Sequence, residues 1–175
     1  MQADGSVWRP AVNSKIADRI ERNVCHKSGM ALAMPLLYIA GAGAPDAVGD
    51  TMNEGKIIVH GNIGDAAGGF LGEYQAGGVI VVLGLTPERK KIVGYFPCTG
   101  MHGGKLFLRS DCRDVTFPGQ VTARPADERD REELKQYIDE YCSLFSFDRD
   151  QILEAPFTVV TPDSKNPYRQ MYVAN

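Results

Sequence analysis

Three seven-residue segments, GKIIVHG (55–61), GVIVVLG (78–84) and GKLFLRS (104–110), superimpose with every apolar position aligned, at spacings of 23 and then 26 residues. Each is a glycine, five extended residues and a turn. Side chains alternate along an extended chain, so Ile57, Ile80 and Leu106 form one column, and Val59, Val82 and Leu108 a second column on the same face. Gly55, Gly61, Gly78, Gly84 and Gly104 punctuate the copies. A repeat of this length, with one short strand and several glycines, predicts a mainly β solenoid of stacked coils rather than helices wrapped around a central sheet.

The middle copy is apolar on both sides. Outward-pointing Val79, Val81 and Leu83 sit beside Ile58 and Phe107 of the adjoining copies, so this second face needs a cover, either a helix of the same chain or a partner subunit. The first and third copies carry lysines, Lys56 and Lys105, where the middle copy has Val79. Met52 and Met101 stand four residues before those lysines and suit gap-filling between coils; Gln75 takes the same place in the middle copy and needs hydrogen-bond partners if buried.

The rest of the chain divides around the repeat, within one structural domain. Residues 1–40 are expected to be an N-terminal helix and cap segment, 41–111 the glycine-rich repeats, and 112–175 a helical segment with an extended tail. Ile16, Ile20 and Val24 predict a short amphipathic helix over 13–27. Pro35 argues against a long helix afterwards, and 36–39 reads as a strand. The polar stretch 86–91 reads as a solvated loop between coils. Residues 127–145 contain no Gly or Pro, begin acidic, and place Leu134, Ile138, Tyr141 and Phe145 at helical spacing. Asp148 followed by Gln151 predicts the N-cap of a second short helix that Pro156 ends, and 157–160 reads as a strand.

With 175 residues, 43% hydrophobic and 23% charged, the chain has the composition of a folded domain. A net charge of -3 and one three-residue basic cluster, Arg89 to Lys91, give no footprint for nucleic acid. No apolar run is long enough to span a membrane, and MQADGSVWRP has no signal-peptide pattern, so the expected location is cytoplasmic. Cys25, Cys98, Cys112 and Cys142 lack CxxC spacing and read as free thiols; a site built from Cys98, His102 and Cys112 has irregular spacing and weak support.

Other motifs fit ordinary structure better than chemistry. A dinucleotide fingerprint at Gly41-Ala42-Gly43 fails because its third glycine place holds Asp46 and the following residues are poor helix formers. Gly61, Gly64 and Gly68 are followed by no GK[ST], which argues against a phosphate loop. Asp46, Asp50 and Asp65 beside glycines are what turns contain. His60 and His102 have no nucleophile at a telling spacing. The sequence therefore specifies no catalytic, cofactor or metal residue.

The segments DAVGDTMNEGKIIVHG, GDAAGGFLGEYQAGGVIVVLGL, GMHGGKLFL and NPYRQMY, spread over 41–175, resemble the GXGXG domain of glutamate synthase, a C-terminal domain of its large subunit and a separate protein in archaeal-type systems. The resemblance implies a short right-handed parallel β-helix (β-solenoid), here with an N-terminal helix and C-terminal helices packed on it. It also implies a non-catalytic scaffold subunit or domain of a glutamate synthase-like complex, in glutamate biosynthesis and ammonia assimilation. The expected partners are glutaminase and FMN-dependent synthase subunits, with FMN and the iron–sulfur cluster in those partners and none in this chain; a homo-oligomer is also compatible. The chain departs from the family in having few coils, so descent without a retained role is one alternative. A scaffold subunit of another redox complex, such as formylmethanofuran dehydrogenase, whose C subunit has a similar β-helix, is another. A stand-alone enzyme or small-ligand binder using the glycine-rich corners near 61–69 and His102 is the rival from a different class.

Overall fold

The computed structural model describes residues 48–63, 70–85, 91–145 and 147–166, together with short strands at 7–8, 18–20, 36–39 and 43–44. The elements are β1 (Val7–Trp8), β2 (Asp18–Ile20), β3 (Leu36–Ile39), β4 (Gly43–Ala44), β5 (Lys56–Val59), β6 (Asn62–Ile63), β7 (Ala76–Val82), β8 (Gly103–Leu108), β9 (Val121–Pro125), α1 (Glu128–Phe145), α2 (Arg149–Leu153) and β10 (Thr158–Pro162).

The three repeated strands start from matching turns. Gly49 and Thr51 before β5, Gly72 and Tyr74 before β7, and Cys98 and Gly100 before β8 all have left-handed φ. Consecutive turns hydrogen-bond through their backbones: Gly72 N–H to Val48 O (2.8 Å), Thr51 N–H to Glu73 O (2.7 Å), Cys98 N–H to Leu71 O (2.6 Å) and Tyr74 N–H to Thr99 O (2.8 Å). Stacked turns leave the following strands no choice of register. Lys56 pairs with Val79 and Val79 with Lys105, so Ile57, Ile80 and Leu106 are direct neighbours, as are Val59, Val82 and Leu108.

These strands belong to one eight-stranded sheet ordered β1-β2-β3-β5-β7-β8-β10-β9. Strands β2, β3, β5, β7 and β8 run parallel, while β1 at one end and β10 and β9 at the other are antiparallel to their neighbours. The part with described side chains is five strands wide, β5-β7-β8-β10-β9. With α1 and α2 this is an open mixed sheet, an α/β fold, and it corrects the β-helix expectation: the described residues show no closed solenoid. Closing a coil requires strands on its other sides as well. Here the other sides are mostly turns of left-handed residues, and the only second sheet among the described residues is the two-residue pairing of β4 with β6. The N-terminal helix expected over 13–27 is also corrected where the chain is described. Asp18–Ile20 is a strand paired with Leu37, Tyr38 and Ile39, so sheet pairing overrides a local helical periodicity. The remainder of that expected helix lies outside the described residues, as do Asp46, Asp65, Gly64, Gly68, residues 86–90 and the tail from 167.

The sheet has a core on each face. Ile57, Val59, Ile80, Val82, Leu106 and Leu108 pack with Met52, Leu71, Cys98 and Met101 of the turns on one side. On the other, Ile58, Val81, Leu83 and Phe107 pack with Leu134, Ile138 and Tyr141 of α1, Ile152 of α2, and Phe157 and Val159. Fully burying each such side chain contributes about 1.5–3 kcal/mol. Helix α1 starts with a reciprocal capping pair: Asp130 N–H donates to the Asp127 carboxylate (2.9 Å) and Asp127 N–H to that of Asp130 (3.2 Å). Asp148 caps α2, accepting from the N–H groups of Asp150 (2.9 Å) and Gln151 (3.1 Å). The other end of α2 is held by Arg109, which donates to the Ile152 and Gln151 carbonyls.

Gly104, the second residue of β8, with φ +76°, occupies a tight corner. A methyl group there would run into the Gln75 amide and lie 2.7 Å from the Gly78 carbonyl oxygen. Gly104→Ala is therefore expected to cost about 2 kcal/mol or more, from left-handed strain and backbone crowding together. Urea denaturation of the variant beside the parent measures it; a loss below about 0.5 kcal/mol would show that the corner yields.

Candidate functional site

The outward face of the middle strands is where the sequence placed a covered or docking surface, and α1 lies across it. Ile58, Val81, Leu83 and Phe107 are fully buried under the helix, and Val79 is half-buried at the same contact. The helix runs across the strands. Lys105 of β8 reaches Glu133 (2.6 Å) and Asp130 (3.5 Å), while Lys56 of β5 is ion-paired with Glu140. Glu133 and Glu140 are seven residues apart, about 10 Å along a helix, and β5 and β8 are two strand steps apart, also about 10 Å. The repeated lysines thus meet acids spaced to match. Because both pairs are partly exposed, each is worth at most about 1 kcal/mol and fixes helix position more than stability.

Asp130 is the buried member of this seam, 3% exposed, and Arg124 of β9 is hydrogen-bonded to its carboxylate. Burial pushes the Asp130 carboxyl up, but the Arg124 hydrogen bond, the Asp127 N–H and the Arg124 and Lys105 charges together hold it below its ordinary value. Burial also shapes the thiols. Cys98 and Cys112 lie in the core on the far face of the sheet and are pushed up by it, Cys98 also by Cys112. Cys142 packs against the α1-side core instead. The described cysteines are thus divided between opposite faces, and no group of three or more His, Cys, Asp or Glu among the described residues is placed to hold a metal ion. They do not fit an iron–sulfur cluster.

The glycine corners are filled. Cβ atoms added at Gly77 or Gly103 would strike the Asn53 or Ala76 carbonyl, and one at Gly78 would meet Met52 and the Gly55 carbonyl. Gln75 is fully buried between the methionine turns and donates to the Gly77 (3.0 Å) and Gly78 (3.2 Å) carbonyls. Gly61 is buried; Gly55 and Gly84 are turn positions with left-handed φ. Asp50 is a buried turn residue. His102 Nδ1 donates to the Gly100 carbonyl (3.0 Å), whereas His60 faces α1, with Nδ1 2.7 Å from the Tyr141 hydroxyl. The structure does not bring His60, His102 and the thiols together.

One surface escaped the sequence reading. Phe70, Tyr95 and Phe96 are exposed side by side at the turn side of the sheet, the Phe70 and Phe96 rings stacked 5.9 Å apart and Phe70 N–H bonded to Tyr95 O (3.0 Å). Both phenylalanines have left-handed φ. Their 26-residue separation, equal to that of the strands they precede, is the signal that would have found them.

A carboxylate held below its ordinary value stabilises the fold above the unfolded-state pKa and loses that contribution as pH falls through the native value, here below 3.8. Parent protein should therefore lose stability as pH drops from about 5 to below 4. Asp130→Asn should flatten that acid limb while costing about 1–3 kcal/mol at neutral pH. Thermal melts of both proteins across pH provide the check.

Comparison with known proteins adds the family. The chain is 34% identical over 116 residues to an uncharacterized protein of Methanocaldococcus jannaschii, a match covering 63% of this chain and 44% of the relative. The chain thus spans less than half the length of that relative. The GXGXG motif family matches residues 61–163, from just after β5 through β10. That is more than half of the sequence, and the chain belongs to the GXGXG motif family, the domain found in glutamate synthase.

Proposed function

We propose that this chain is a non-catalytic scaffold subunit or domain of a glutamate synthase-like complex. The observation that carries the reading is the family match over 61–163, which takes in two of the three repeated strands, β7 and β8, with the turns that start them, and the helix across the sheet. In this role the chain supplies a rigid platform, and its polar groups are spent on its own architecture. The lysines of β5 and β8 hold α1, and Gln75 and the glycines hold the corners. Chemistry belongs to partners: a glutaminase that releases ammonia, and a synthase part that carries FMN and an iron–sulfur cluster. A cytoplasmic location follows from that partnership.

Affinity purification of the tagged full chain from its native cell, with mass spectrometry of what accompanies it, tests the reading. Glutaminase and FMN-dependent synthase subunits are expected in stoichiometric amounts; a chain that purifies alone from lysates containing both would overturn it. In the same spirit, thermal-shift screening of the isolated chain with FMN, nucleotides, glutamine and 2-oxoglutarate should show no specific stabilisation. A saturable rise in melting temperature with one of them would favour a ligand-binding protein instead.

A further inference from the structure

We propose that the His60–Tyr141 hydrogen bond, with Phe147 stacked beside both rings, is a pH-responsive clasp that holds the end of α1 and the turn into α2 on the sheet and loosens when His60 is protonated. Tyr141 is fully buried, and among the described residues its hydroxyl has one hydrogen-bond partner, His60 Nδ1 at 2.7 Å. A buried phenol needs an acceptor for its proton. Neutral imidazole provides one when its hydrogen is on Nε2, leaving the Nδ1 lone pair for the Tyr141 O–H. Burial pushes the Tyr141 hydroxyl above its ordinary range, so it remains a donor. Protonating His60 puts a hydrogen on Nδ1. That nitrogen becomes a donor, and the Tyr141 proton is left buried with no acceptor.

The aromatic packing ties the same bond to the chain beyond α1. Phe147 stacks on His60 with centroids 4.5 Å apart and on Tyr141 at 5.6 Å, with the latter rings nearly parallel. Tyr141 also packs against Phe145 at 4.9 Å. The titratable and charged groups around the imidazole are few. Tyr141 is the one α1 presents to it, the segment after β7 meets it through the Leu85 N–H bonded to His60 O, and Asp148, next to Phe147, has its carboxylate turned to the N-terminus of α2. On β5, Lys56 is committed to Glu140. Among the described residues no carboxylate is ion-paired with the ring to favour its charged form. Burial accordingly lowers the His60 pKa below 6.5.

The sign follows. A histidine whose native pKa is lowered contributes fully above its unfolded value and loses that contribution as pH falls through the native one. The clasp is closed at neutral pH and opens in mild acid. What it releases is the segment bearing Leu144 and Phe147, both partly exposed already, so the pH controls how firmly an apolar edge is held against the sheet. This inference is independent of the complex proposed above.

Hydrogen-exchange mass spectrometry of the full chain, between pH 7.5 and 5.5 and corrected for intrinsic exchange, provides the test. Parent protein should lose protection severalfold over 138–147, while β7 and β8 remain protected. His60→Gln keeps an acceptor for Tyr141 but cannot titrate, so its protection should be independent of pH. Tyr141→Phe removes the proton that needs an acceptor and should shrink the pH step; it serves as the second variant if His60→Gln does not fold. A parent chain with no pH step, or a step that persists undiminished in the folded variants, would overturn the proposal.

Discussion

Left-handed turns stacked by backbone hydrogen bonds are the constraint on which everything else in this chain rests. A left-handed residue costs an ordinary side chain about 1–2 kcal/mol, yet Thr51, Tyr74 and Cys98 accept that cost in places that recur with the repeat. The return is positional. Once Gly72 is bonded to Val48 and Cys98 to Leu71, the strands that leave those turns can pair in one register only. That register sets which residues face the turn-side core and which face α1. It also puts Lys56 and Lys105 two strands apart, the interval at which a helix can meet them with acids seven residues apart. Sheet, turns and helix are thus fitted to one spacing.

What was legible in the sequence is what local pattern encodes. The alignment of GKIIVHG, GVIVVLG and GKLFLRS gives the pairing of Ile57 with Ile80 and of Ile80 with Leu106, since identical turns impose identical starts. The span of α1, the cap at Asp148 and the burial of Met52 and Met101 follow from spacing, capping chemistry and size. What was not legible depends on partners distant in the chain. Asp18–Ile20 lies in a stretch with helical spacing and becomes a strand through its pairing with Leu37–Ile39. Strand β9 has no apolar alternation; only Val121 in it is buried, and it owes its state to β10. The step from a stacked repeat to a closed solenoid went too far because strand alignment constrains neighbours within a sheet and says nothing about the other sides of each turn. The contact between His60 and Tyr141, 81 residues apart, has no local sign.

The electrostatics divide by face. On the α1 side, ionisable groups are paired across the seam between strands and helix, with Asp130 at its buried end and a tyrosine and histidine at the other. On the turn side, the core is made of aliphatic residues, methionines and thiols, with Gln75 satisfying backbone carbonyls from within. The described ionisable groups on the turn side, Asp50 and His102 among them, stand in the turns themselves rather than in that core.

The antiparallel finish of the sheet has one more consequence. An open sheet has edges, and an edge strand is a template on which any other extended chain can grow. At the β9 edge, Arg124 carries a charge engaged with Asp127 and Asp130, and Pro125 offers no amide hydrogen. With β10 inserted between β8 and β9, the sheet ends on such a strand, whose charge and proline disfavour strand addition at that side by chemistry rather than by bulk.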